Sequence, residues 1–214
     1  MKACFLLLGL AVWPLRAEIV DRTLAVVGDR VVTWSDVMAE ANYQAFLNGG
    51  QPPDPAALDR KENWQPVLSR LIDQALLAQA QEAFPFAPAE NGEAKRRLEE
   101  VRKQFPDGEA YRDALVRCKL REAELVSRLE RETNLMAFVD YRLRPQVQLS
   151  SEEMEEYYRE TLAPELRRQG QQDVPPLAEV RDQIEQILTQ GKINRLLEQW
   201  LQDLRRRAAV KILE

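Results

Sequence analysis

Among 214 residues there is no histidine. That absence excludes His-based general acid–base catalysis, Ser–His and Cys–His nucleophile pairs, and histidine metal ligands. Glycine is scarce at 8 residues. None of it falls into a Walker-type or GxGxxG spacing, so the sequence makes no case for ATP or dinucleotide binding. Collagen-like and low-complexity classes are excluded with it. Basic residues number 30 against 35 acidic ones, and the net charge of −5 argues against general nucleic-acid affinity. Only two cysteines occur, Cys4 and Cys118. No cofactor and no metal site are expected.

What is present is enough to fold. Hydrophobic residues make up 45% and charged residues 30%, a balance that supports a packed core and argues against global disorder. The longest apolar run, Cys4 to Trp13, follows Lys2 near the start. As a helix it would span ~15 Å, about half of a ~30 Å bilayer core. It is too short to cross a membrane but suits the apolar part of a signal peptide, with Pro14 as breaker and Leu15-Arg16-Ala17 as cleavage site. Cleavage after Ala17 removes Lys2 and Arg16 and no acid, which moves the net charge from −5 to −7. It also removes Cys4, and Cys118 alone cannot form an internal disulfide. Cys118 is expected to be a small buried apolar residue.

Further along, Leu24–Val27 and Arg30–Thr33 flank Gly28-Asp29, the pattern of a tight hairpin. Thr33 with Asp36 forms a capping box for a helix to about residue 48. Residues 48–63 carry Gly and Pro and are expected to be a loop, with Asn63 capping the next helix and Pro66 in its first turn. Val67, Leu68, Leu71, Ile72, Ala75 and Leu76 give that helix its 3.6 period, to about residue 83. Helices are expected near 89–105, 108–117 (capped by Asp107), 120–143, from Ser150 (boxed with Glu153) to about 162, and 177–207. Residues 163–176 are polar and end in Pro-Pro, so they are expected to be a connector. Val210–Leu213 alternates like a final strand. An isolated strand leaves backbone groups unpaired, and the remaining strand signals lie at the other end of the chain. The two ends are therefore expected to meet, giving a mainly α fold with a small sheet made from the N-terminal hairpin and the C-terminal strand.

No catalytic constellation emerges. Glu152, Glu153, Glu155 and Glu156 fall in the first turns of a helix, where acids complement its positive end. Arg205-Arg206-Arg207 closes the longest helix by the same logic with the sign reversed. Aromatic residues at helical spacing belong mostly to the core, and those left exposed would form a peptide-binding surface. Binding, rather than catalysis, is the default function.

Several stretches, taken in order, resemble the periplasmic SurA-like chaperones and related parvulin-type foldases. They are EIVDRTLAVVGDRVVTWSDV (18–37), VLSRLIDQALLAQAQE (67–82), VQLSSEEMEEYYRE (147–160) and the segment 175–213. In that family one or two parvulin domains lie between the last two segments. Such a domain takes on the order of a hundred residues, whereas residues 159–173 supply 15. The parvulin site also uses histidine, so the resemblance does not carry isomerase activity to this chain.

The resemblance implies a chaperone module without its isomerase, divided as signal peptide 1–17, helices and hairpin 18–162, connector 163–176, and C-terminal helix and strand 177–214. It further implies a periplasmic, ATP-independent holdase whose partners are unfolded outer-membrane or secreted clients, with no nucleic acid and no stable membrane insertion. The alternatives are a dedicated scaffold for one folded envelope protein and a degenerate prolyl isomerase. Leu135, Met136, Phe138 and Tyr141, which combine Met with aromatics, are the expected client-binding residues. Exchange of the C-terminal helix and strand between two copies is a further expectation.

Overall fold

Strand β1 (Thr23–Val27) turns at Gly28-Asp29 into β2 (Arg30–Thr33), as the sequence pattern predicts. Gly28 takes φ +63, a left-handed conformation that glycine adopts without steric cost. The space is also closed, since a Cβ there would come within 3.1 Å of the Gln79 amide nitrogen. The computed structural model describes residues 21–87, 92–170 and 173–213. The expected signal peptide, residues 1–17, lies outside the described residues, as do the first residues of the helix expected at 89–105.

Helix α1 (Trp34–Leu47) opens with the predicted capping box, Thr33 and Asp36 each bonding the other's backbone. A short helix, α2 (Pro55–Leu58), interrupts the expected loop at 48–63, because Asp54 caps it and Pro55 is preset for a first turn. Helix α3 (Lys61–Glu82) starts earlier than expected. Asn63 therefore lies inside it and donates to the Ala57 carbonyl instead of capping. Pro66 becomes its sixth residue, and the helix forgoes one internal hydrogen bond there. Then follow α4 (Glu93–Lys103), α5 (Gly108–Arg117, capped by Asp107) and α6 (Glu122–Leu143), with a 3₁₀ turn at Arg144–Gln146 around Pro145.

The largest departure is at the expected connector. Helix α7 (Ser151–Tyr157) runs through a π turn (Tyr158–Leu162) straight into α8 (Ala163–Arg168), so the first part of 163–176 is helical. Pro164 explains the π turn. It has no N–H for the Glu160 carbonyl, and its ring crowds that carbonyl, so the ladder widens and Ala163 N–H reaches back to Tyr158 O. The Tyr158 hydroxyl then donates to Pro175 O at 2.8 Å and ties the return segment down.

Helix α9 (Leu177–Arg207) brings the chain back to its beginning. Strand β3 (Val210–Ile212) pairs antiparallel with β1, giving the sheet order β2-β1-β3. The register sets Ala25 opposite Ile212 and Val27 opposite Val210. The return is pinned by Arg205, whose guanidinium bonds Asp73 at 2.8 Å and Ser69 Oγ at 2.7 Å on α3. This residue, expected only to complement a helix end, joins two helices.

Among the described residues, three apolar clusters form the core. The first lies under the sheet, from Leu24, Val27, Val37, Leu68 and Ile72, with Leu204 and Val210 from the C-terminal end packed on it. A second gathers Tyr43, Phe46, Tyr111, Leu125 and Leu129 around the buried Cys118. The third joins Leu77, Val139, Leu143 and Ile193 where α3, α6 and α9 meet. Helix α6 thus serves two clusters, one with each half.

Candidate functional site

An aromatic patch covers the place where α3 ends against α6 and α9. Phe138 on α6 is its centre and is 1% exposed. Around it stand Phe86 at 5.5 Å, Trp200 at 5.9 Å and Phe84 at 6.0 Å, ring centre to ring centre. Tyr141 closes the group, 5.6 Å from Phe86 and 6.2 Å from Phe84. The tilted rings sit at distances typical of favourable aromatic pairs. Arg142 lies 5.7 Å from both the Phe84 and Trp200 ring centres, within cation–π range. Phe84 and Phe86 reach this position because α3 ends at Glu82 and the next residues turn back, Phe84 N–H to Gln81 O. Tyr141 remains 58% exposed and Phe84 36%, so a contiguous apolar surface faces outward on a buried support.

A groove of about 1160 Å³ opens on another side of α6, between that helix, α1 and α3. Leu71, Ala75, Ala78, Leu77 and Leu135 are among its apolar lining, and Met136 stands half-exposed at its edge. Its polar lining is an ordered charge network. Glu40, 3% exposed, is the one buried charged residue among those described. Its carboxylate is 3.1 Å from Arg128 and accepts from Gln44 at 2.9 Å. The Arg128 guanidinium sits 4.9 Å over the Tyr43 ring. Next to it, Arg97 pairs with Glu132 at 3.3 Å. Burial, and then the Glu132 carboxylate, push the Tyr43 phenol well above its ordinary value, so Tyr43 stays neutral and uncharged at physiological pH.

The four residues expected to bind clients are therefore not one stripe. At ~100° per residue, Met136 and Tyr141 point about 140° apart around α6. Leu135 and Met136 line the groove, whereas Phe138 and Tyr141 belong to the aromatic patch. Phe138 supports the patch from below. Sequence reasoning missed Phe84, Phe86 and Trp200 as members of the patch, since a turn and a distant helix supply them. It also missed Glu40. The available signal was its place three residues after Val37, on the face that α1 buries.

The acidic start of α7 has the geometry of a helix cap. Glu153 completes the box with Ser150 and meets Lys192 of α9 at 2.7 Å. The Lys192 bond first, and the Ser150 backbone second, hold its carboxyl below the usual range. Burial pushes the Cys118 thiol up, away from reactive thiolate character. No cluster of Cys, Asp or Glu suited to a metal ion occurs among the described residues, and none of their helices is long and apolar enough to cross a membrane. Comparison of the chain with known protein families and with curated proteins finds no match.

Proposed function

We propose that this chain is an ATP-independent holdase of the SurA-like type, acting in the periplasm on unfolded outer-membrane or secreted clients. The observation that carries the reading is the aromatic patch, with Tyr141 and Phe84 exposed over the buried Phe138. Large rigid rings offer contact area at low entropic cost, and a buried support keeps them from collapsing when no client is bound. Covering about 300 Å² of apolar surface at ~25 cal/mol/Å² supplies ~8 kcal/mol before ordering costs. That gross figure is on the scale of micromolar affinity, which suppresses aggregation and still permits release when the client folds. The resemblance of segments 18–37, 67–82, 147–160 and 175–213 to that family supports the same reading.

The test is aggregation of a urea-diluted outer-membrane protein followed by light scattering, without ATP. Suppression at near-stoichiometric ratios is expected, weakened in the double variant F84S/Y141S. Failure to suppress overturns the reading and favours a scaffold for one folded partner, to be sought by native pull-down.

A further inference from the structure

We propose that the groove between α1, α3 and α6 seats an extended apolar client segment that carries a carboxylate, held at the rim by Arg70 and Arg131. The inference rests on the holdase reading and specifies a second class of segment that the aromatic patch does not explain.

Most of the charge that lines the groove is already paired. Among the described residues five carboxylates line the groove, and each is engaged. Asp36 is in the α1 cap, Glu40 is on Arg128, Asp73 on Arg205, Glu82 on Arg30 and Glu132 on Arg97. Three of the five guanidinium groups lining it are consumed in those pairs. The other two are not. Arg131 donates only to the Ser127 hydroxyl, at 2.7 Å, and Arg70 has no hydrogen-bond or ion-pair partner among the described residues. Both are exposed, one on α6 and one on α3, on the two walls of the same groove. A guanidinium binds a carboxylate through two parallel N–H bonds, a geometry that water replaces poorly.

The space sets the size of the occupant. A volume of about 1160 Å³ exceeds the ~300–1,000 Å³ of small-molecule pockets, and the apolar lining formed by Leu71, Ala75, Leu77, Ala78 and Leu135 suits aliphatic side chains. A short run of a polypeptide fits both properties. The chain as a whole is acidic, so this rim is a local exception that discriminates among clients by their flanking charge.

Fluorescence anisotropy tests this with the purified chain and three labelled peptides. Each has the same Leu/Met stretch without aromatics, followed by Glu-Glu, Gln-Gln or Lys-Lys. The Glu-Glu peptide is expected to bind about two- to thirtyfold more tightly than the Gln-Gln peptide at low salt, the range for two solvent-exposed ion pairs, with Lys-Lys weakest. High salt removes the difference. In R70Q/R131Q the Glu-Glu and Gln-Gln peptides are expected to share one Kd, while R181Q, on α9 outside the groove, keeps the preference. Equal affinities in the unmodified chain, or a preference that survives R70Q/R131Q, overturns the inference. Either result alongside intact aggregation suppression leaves the holdase reading standing. A preference lost in R70Q/R131Q without any aggregation suppression supports the groove and overturns the holdase.

Discussion

Removing Arg128 should cost far more than its position on a helix surface suggests. The side chain of Glu40 is 4% exposed and that of Arg128 19%. Replacing Arg128 by Met leaves a carboxylate without its cation and almost without water. Stripping one partner from a buried pair costs about 3–5 kcal/mol. Gln44 still donates to Glu40, which offsets part of this, while the contact of Arg128 over Tyr43 is lost, about 0.5–2 kcal/mol. The expected loss for R128M is therefore about 3–5 kcal/mol. Glu40→Gln should cost less, since the cation it leaves behind is the more solvated partner and the amide keeps an acceptor for Gln44. The double variant E40Q/R128M contains no unpaired charge, and its loss should fall well below the sum of the two single losses. Urea unfolding at neutral pH, read as midpoint times slope, measures all three. The melting temperature of R128M should fall by roughly 6–20 °C for a chain of this length. A loss below about 1 kcal/mol for R128M, the value of an exposed ion pair, would refute the claim that the carboxylate is desolvated. Additive losses in the double variant would refute the coupling between the two groups.

Two other outcomes follow from single groups. Cys118 is 0% exposed with its thiol pushed up by burial, so peptide mapping after maleimide treatment at pH 7 should find it unlabelled in the folded chain and labelled in urea. Labelling in the folded state at the rate of a free thiol would contradict the packing around α5. Glu153 titrates below its ordinary range when folded, so its contribution is complete above the unfolded glutamate value of about 4.3. It is lost as pH falls through the folded value. Protection of the amides at the start of α7, taken relative to their intrinsic exchange rates, should fall over that acid window, and E153Q should weaken the pH dependence to the part that Glu152, also held low by its own backbone and then by Ser150, supplies; flat protection in the unmodified chain would sink the assignment.

How far these features can be read from residues alone depends on how many elements build each one. The hairpin, the two capping boxes and the Asp107 cap are local, because backbone and side chain satisfy each other within a few positions. The closure of the sheet is non-local, yet backbone accounting exposes it, since Val210–Ile212 needs a partner and β1 supplies one. Pro164 shows the opposite outcome. A proline-rich, polar stretch reads as a break, but the helix absorbs Pro164 by one π turn and continues to Arg168. The two surfaces on α6 lie beyond local reading altogether. Leu135, Met136, Phe138 and Tyr141 are neighbours in sequence, and composition makes them look like one sticky stripe. What separates them is which neighbour reaches each flank. Phe84 and Phe86 arrive from the end of α3 and Trp200 from α9, which draws Phe138 and Tyr141 into one patch. Glu40 and Tyr43 from α1 meet Arg128 on the other flank, which turns Leu135 and Met136 toward a groove walled by charge. One helix thereby carries an aromatic surface on one flank and a polar-walled apolar channel on the other, and a substitution on one flank can be tested without dismantling the other.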